Sequence, residues 1–239
     1  MSTAAPLDHH GAPAHGASGG HDDRPKFLAH HFDNAEQQES AAKLGMWIFL
    51  ATEILMFSGL FLAYFFVRAS YPEMVLEAHE HLDKIMGAIN TVVLISSSLT
   101  MALAVRSAQT NQRQLTNLYL LGTLVFAATF MVIKYLEYSA KIEHGTLPTV
   151  FYAEHLADGT ILAPWYGGNQ MFFGIYFVMT GLHGLHVLVG MGLITWMMIR
   201  NSKGEFSSRF FTPIENVGLY WHLVDLIWIF LFPLLYLVK

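Results

Sequence analysis

The chain has no cysteine, which excludes disulfides, iron–sulfur clusters, covalent haem attachment through C-x-x-C-H and every copper site built on thiolate. Charge is scarce as well. Asp, Glu, Lys and Arg supply 13% of the 239 residues, and the net charge of −5 comes with no basic patch of the kind nucleic acid requires. Internal repeats, paired halves and Gly/Pro-broken segments near a midplane are missing, so the sequence marks of a solenoid or an alternating-access transporter are lacking. What is abundant is apolar: 54% of residues, with a mean hydropathy of +0.40, gathered in blocks instead of being spread at core spacing.

Five blocks are long enough to cross a hydrocarbon core of ~30 Å at ~1.5 Å per helical residue. They are Leu44–Val67, Ile85–Val105, Thr116–Leu136, Asn169–Ile199 and Ile214–Val238. Each is two to three times the ~10 residues of a barrel strand and lacks period-two alternation. The expected fold is an all-α membrane protein, a bundle of five transmembrane helices over residues 43–239. Arg24, Lys26, Lys43, Arg106, Arg113, Arg200, Lys203 and Arg209 fall on one side of such a bundle, against Arg68, Lys84, Lys141 and Lys239 on the other. That bias predicts a cytoplasmic N-terminus and a C-terminus outside. No secretory signal is read before Leu44. Residues 1–42 have the Ala, Gly, His, Asp and Gln composition of a disordered cytoplasmic tail, whose His9, His10, His15, His21, His30 and His31 either bind a transition metal weakly or are simply solvated. Short connections at 68–84 and 106–115 predict antiparallel neighbours. Trp165 and Tyr166, in the long 141–168 loop, sit where an interfacial aromatic belt would lie.

A carboxylate in hydrocarbon is costly and marks a contact or a function. Glu53 is read as a buried proton-linked or contact acid, flanking a stripe of small or adaptable residues (Gly45, Thr52, Met56, Gly59, Ala63) along which another helix can approach. His183, His186 and Gly190 share one face at i, i+3, i+7. With His222 the imidazoles would give an autonomous metal enzyme three ligands, but the set is short, and subunit or interhelix contact is the preferred reading. Glu215, Gly218, His222 and Asp225 form a polar stripe that must face protein, a sister helix or another subunit; its two acids and histidine can also relay protons. A proton-coupled transporter built on Glu53 and those acids is a further alternative class. Lys134 and Glu137, i, i+3 near the outer interface, are read as a local structural pair or a snorkelling lysine. Arg200, Lys203 and Arg209 are candidates for lipid head groups at the inner leaflet, beside their role in topology. No residue is assigned a catalytic or metal-binding role.

The segments "KLGMWIFLATEILMFSGLFLAYFF", "NTVVLISSSLTMALA", "KYLEY", "FFGIYFVMTGLHGLHVLVG" and "GLYWHLVDLIWIFLFPLLYL" occur in an order that resembles the subunit III family of haem–copper terminal oxidases, cytochrome c oxidase subunit 3-like, in a five-span form. The resemblance covers about residues 43–239. It implies a non-catalytic subunit in a bacterial-type inner (cytoplasmic) membrane, held beside the catalytic subunit I of an oxygen-reducing, proton-pumping complex of aerobic electron transport. Such a subunit stabilises its partner, supports proton uptake and holds phospholipid. Haem and copper stay in the partner subunit, and no cofactor is bound by this chain. Glu53 matches the family's intramembrane glutamate. Many members have seven spans, and the lack of the first two here leaves one wall of the lipid cleft to another subunit. Five-span forms also resemble subunits of ubiquinol oxidases and nitric oxide reductase-associated proteins, and the electron donor meets other subunits than this one.

Overall fold

Short polar side chains set where the first helices begin. The Asn34 side chain accepts the Gln37 backbone N–H at 2.8 Å, and helix α1 follows over Ala35–Ser70. Asp83 accepts from the N–H groups of Ile85 and Met86 at 2.8 and 3.1 Å and opens α2, Lys84–Gln109. Each cap fills donors that a helix start leaves open. Helices α3 (Arg113–Glu143), α4 (Asn169–Ser202) and α5 (Thr212–Tyr236) complete the bundle, α5 with Pro213 in its first turn, where a missing N–H costs nothing. Two-residue antiparallel strands, β1 (Glu154–His155) and β2 (Ile161–Leu162), pair within the α3–α4 connection. This computed structural model describes residues 28–73, 75–76, 82–143, 154–155, 161–162, 169–208 and 210–237.

Among the described residues five helices are long and apolar enough to cross a membrane, so the protein is an all-α membrane bundle as the runs required. One boundary moves. Helix α1 begins at Ala35, eight residues inside the segment expected to be tail, because the Asn34 cap, Glu36 in the first turn and a run of Ala, Glu and Gln favour helix without any lipid contact. Residues 1–27, Trp165, Tyr166 and Arg209 lie outside the described residues.

Helices α2, α3, α4 and α5 pack in sequence around a ring, with α5 closing onto α2, and α1 lies outside the ring against α4 and α5. The α2–α3 turn is tight. Gln112 N–H donates to Ser107 O at 2.9 Å, Asn111 takes φ 59°, and the Ser107 and Thr116 hydroxyls meet at 3.0 Å. Close approach of α4 to α5 depends on Gly190, where a Cβ would stand 2.7 Å from the Trp221 ring. Gly87 plays the same part for α2 against Phe232 of α5, also at 2.7 Å. The indole N–H of Trp221 donates to Ser97 Oγ at 2.9 Å and that of Trp228 to Thr91 Oγ1 at 3.1 Å, which fixes the register of α5 on α2. Tyr64 of α1 donates to Leu234 O at 2.7 Å, satisfying a carbonyl in the last turn of α5.

Candidate functional site

Glu53 and His186, 133 residues apart, meet between α1 and α4. His186 Nε2 lies 2.9 Å from Glu53 Oε2, with both side chains 15% exposed, and His186 Nδ1 lies 2.8 Å from Leu182 O one turn back on α4. A carbonyl only accepts, so Nδ1 carries hydrogen and donates. One further proton then lies between Nε2 and Oε2. Whether it sits on nitrogen, opposite a carboxylate, or on oxygen, opposite a neutral ring, the pair has no net charge. That resolves the cost of an acid in the bilayer. Phe57 packs edge-on against the imidazole at 5.4 Å and the Tyr220 ring lies parallel to it at 6.5 Å. Tyr220 OH donates to His186 O at 2.9 Å and ties α5 into the same corner. Outside this corner, Met46, Phe49, Leu185, Val189, Leu193 and Val217 line an apolar groove of about 680 Å³ that His186 and Tyr220 reach.

Among the described residues the small-residue stripe of α1 is not the seam against the other helices. Leu50, Phe57, Tyr64 and Val67 form the buried face and Glu53 belongs with them, while Thr52, Met56 and Ala63 are exposed and a Cβ on Gly45 or Gly59 would meet nothing within 4 Å. His183 and His186 also part company. His183 is fully buried between Phe130 and Trp228, at ring distances of 5.5 and 5.2 Å, whereas His186 turns to α1. The third imidazole, His222, has Nδ1 2.7 Å from Ser98 Oγ on α2. The three histidines therefore have separate neighbours, and among the described residues no group of three His, Cys, Asp or Glu could hold a metal ion.

The polar stripe of α5 faces protein, in three different settings. Glu215 lies 3.3 Å from Lys43 Nζ of α1, which is also 2.7 Å from Glu39. Gly218 packs on Val105 and Met101 of α2, and Asp225, 2% exposed, lies against the Ser97 and Ser98 side chains of α2. Arg200 is already engaged: its Nε donates to Glu205 Oε2 at 2.6 Å and its guanidinium lies over Trp196 and Phe206. Lys203 is exposed.

Two residues went unread in the sequence, Tyr176 and Tyr236, which join the Lys134–Glu137 pair. Lys134 and Glu137 do pair, at 2.8 Å, but the lysine does not snorkel; the pair is buried, 7% and 4% exposed. Lys134 also donates to Tyr236 OH at 2.8 Å, and Glu137 Oε1 accepts from Tyr176 and Tyr236 hydroxyls at 2.9 and 2.6 Å. The Lys134 ammonium stands 4.6 Å over the Trp228 ring. Two tyrosines inside apolar runs were the available signal, since a buried phenol needs a partner.

Comparison with known proteins decides the family. The family model described as cytochrome c oxidase subunit III matches residues 26–160 and 161–239. The chain belongs to the cytochrome c oxidase subunit III family. It is 32% identical over 209 residues to cytochrome c oxidase subunit 3 of Thermostichus vulcanus, covering 86% of this chain and 92% of that one. Identity to cytochrome c oxidase subunit 3 of Corynebacterium diphtheriae is 31% over 211 residues, with the same 86% and 92% coverage. A haem–copper oxidase subunit I+III of Aeropyrum pernix is 32% identical over 200 residues, 81% of this chain but 22% of that longer protein. The chain thus spans about a fifth of one curated relative and nearly all of two others. As a member of the subunit III family it is an integral multi-pass membrane protein of an oxidase complex, and the quinol and nitric oxide alternatives gain no support from these names.

Proposed function

We propose that this chain is a non-catalytic subunit of a cytochrome c oxidase in a bacterial-type inner membrane. It sits beside catalytic subunit I with its N-terminus cytoplasmic, stabilises that partner and supports proton uptake. Haem and copper belong to the partner. The fused subunit I+III of Aeropyrum pernix supports subunit I as the neighbour, since the two are one polypeptide there. The observation that carries the reading is the net-neutral Glu53–His186 pair, which holds one transferable proton at the edge of an open apolar groove. That groove is of a kind that suits an acyl chain of phospholipid, with the exposed Lys203 as the head-group candidate. His222, Glu215 and Asp225 act as helix contacts within the bundle.

Extraction in mild detergent tests this. The chain should copurify with haem-bearing subunits, and the chain separated from them should carry no stoichiometric haem or copper. Glu53→Gln keeps a hydrogen-bonding group opposite His186 and removes only the exchangeable carboxyl proton, so assembly should persist while proton uptake slows modestly. Loss of all oxygen reduction in a fully assembled Glu53→Gln complex would overturn the supporting role; one equivalent of metal on the isolated chain would overturn the non-catalytic one.

A further inference from the structure

The centre of the four-helix ring contains polar groups that no atom of the described residues satisfies. Asn90 of α2 is fully buried, and neither its amide oxygen nor its amide nitrogen has a hydrogen-bond partner among the described residues. The same holds for both ring nitrogens of His183 on α4.

Cross-helix bonds place these two residues at one height. Ser107 pairs with Thr116 and Thr100 with Thr123, so the antiparallel register of α2 on α3 sets Asn90 level with Lys134. The Trp228 bond to Thr91 sets α5 at that level, and His183 lies against the same indole at 5.2 Å. The layer therefore draws one residue from each ring helix: Asn90, Lys134, His183 and Trp228.

Hydrocarbon outside the bundle offers these groups nothing, and a buried amide or imidazole left bare is expensive. Internal water is the usual remedy, with about three hydrogen bonds to otherwise unsatisfied groups. The ligand must both donate and accept, because an amide presents both functions. A cation is disfavoured, because the Lys134 ammonium faces the same indole from 4.6 Å. We propose that this central layer is a binding site for ordered water, hydrogen-bonded to Asn90 and His183.

A density map of the assembled complex, at a resolution that shows ordered solvent, should contain a peak within hydrogen-bonding distance, ~2.7–3.2 Å, of the Asn90 amide and one within the same distance of a His183 nitrogen. Clear side-chain density without those peaks overturns the proposal. The near-isosteric Asn90→Leu supplies an independent sign. If the amide is hydrated, the variant loses real hydrogen bonds and the unfolding midpoint of the complex falls by several degrees. If the amide is bare, the variant removes an unpaid desolvation cost and the midpoint rises or stays, which overturns the proposal. Should the variant fail to assemble, the density map still decides.

Discussion

At the scale of single residues, charge in this bundle is tolerated where a partner cancels it. Lys134 and Glu137 show how much hangs on that. Each is buried, and together with Tyr176 and Tyr236 they close a ring of contacts across α3, α4 and α5. Replacing Lys134 by Met keeps the volume but takes from Glu137 the ammonium 2.8 Å away that balances its charge. Breaking one half of a buried pair costs about 3–5 kcal/mol, whereas removing both halves costs far less. Lys134→Met should therefore lower the unfolding midpoint of the purified protein sharply, and Lys134→Met with Glu137→Leu should recover much of the loss. Additive effects would mean that the two residues do not act as a pair. Glu53→Leu follows the same logic more weakly, because it removes the one side-chain partner that Nε2 of His186 has across the helix boundary while Nδ1 keeps Leu182 O; a net cost of about 1–3 kcal/mol is expected in the same measurement.

At the scale of helices, the contact surfaces rest on small residues at chosen heights. Gly190 and Gly192 are two positions apart on α4, yet a Cβ at the first would meet Trp221 at 2.7 Å and one at the second would meet nothing within 4 Å. Gly190→Ala must push an immobile indole, at a cost of about 1–3 kcal/mol, while Gly192→Ala gains helix propensity of up to about 1 kcal/mol. Opposite shifts in thermal midpoint are the expected result, and a matching pair of shifts would contradict the α4–α5 packing. The spans themselves were legible in the sequence, since runs such as Ile85–Val105 have no competing use. The start of α1 was missed because Ala35–Ala42 is polar, and hydropathy does not register a helix that projects beyond the apolar run. The Glu53–His186 contact was hidden for a different reason. Spacing along one helix shows which residues share a face, but it does not tell which face of α1 meets which face of α4. The same gap let His183 and His186 pass for one face, when a separation of three residues was enough to aim one at the ring centre and the other at α1.

At the scale of the whole molecule, the ring of α2–α5 and the outlying α1 differ in how they are held. The ring is closed by indole, hydroxyl and buried ionic contacts. Helix α1 is fastened at three heights: Lys43 to Glu215 at one end, Glu53 to His186 in the middle, and Tyr64 to Leu234 O at the other. Its opposite face, with Gly45, Thr52, Met56, Gly59 and Ala63, is exposed among the described residues. In a subunit of a larger oxidase, the partners add contacts to the native state alone and raise its stability by mass action. The weakly held element gains most from such coupling. Hydrogen exchange compared between the assembled complex and the separated chain should therefore show the largest loss of protection along α1 and little change at Leu94, Phe130, His183 and Trp228 in the ring interior. Uniform loss across all five helices would mean that the ring does not stand without its partners. The Tyr64→Phe variant separates the two causes: it removes one neutral hydrogen bond, about 0.5–1.5 kcal/mol, and should increase exchange in α1 and the last turn of α5 of the separated chain while leaving the ring unchanged.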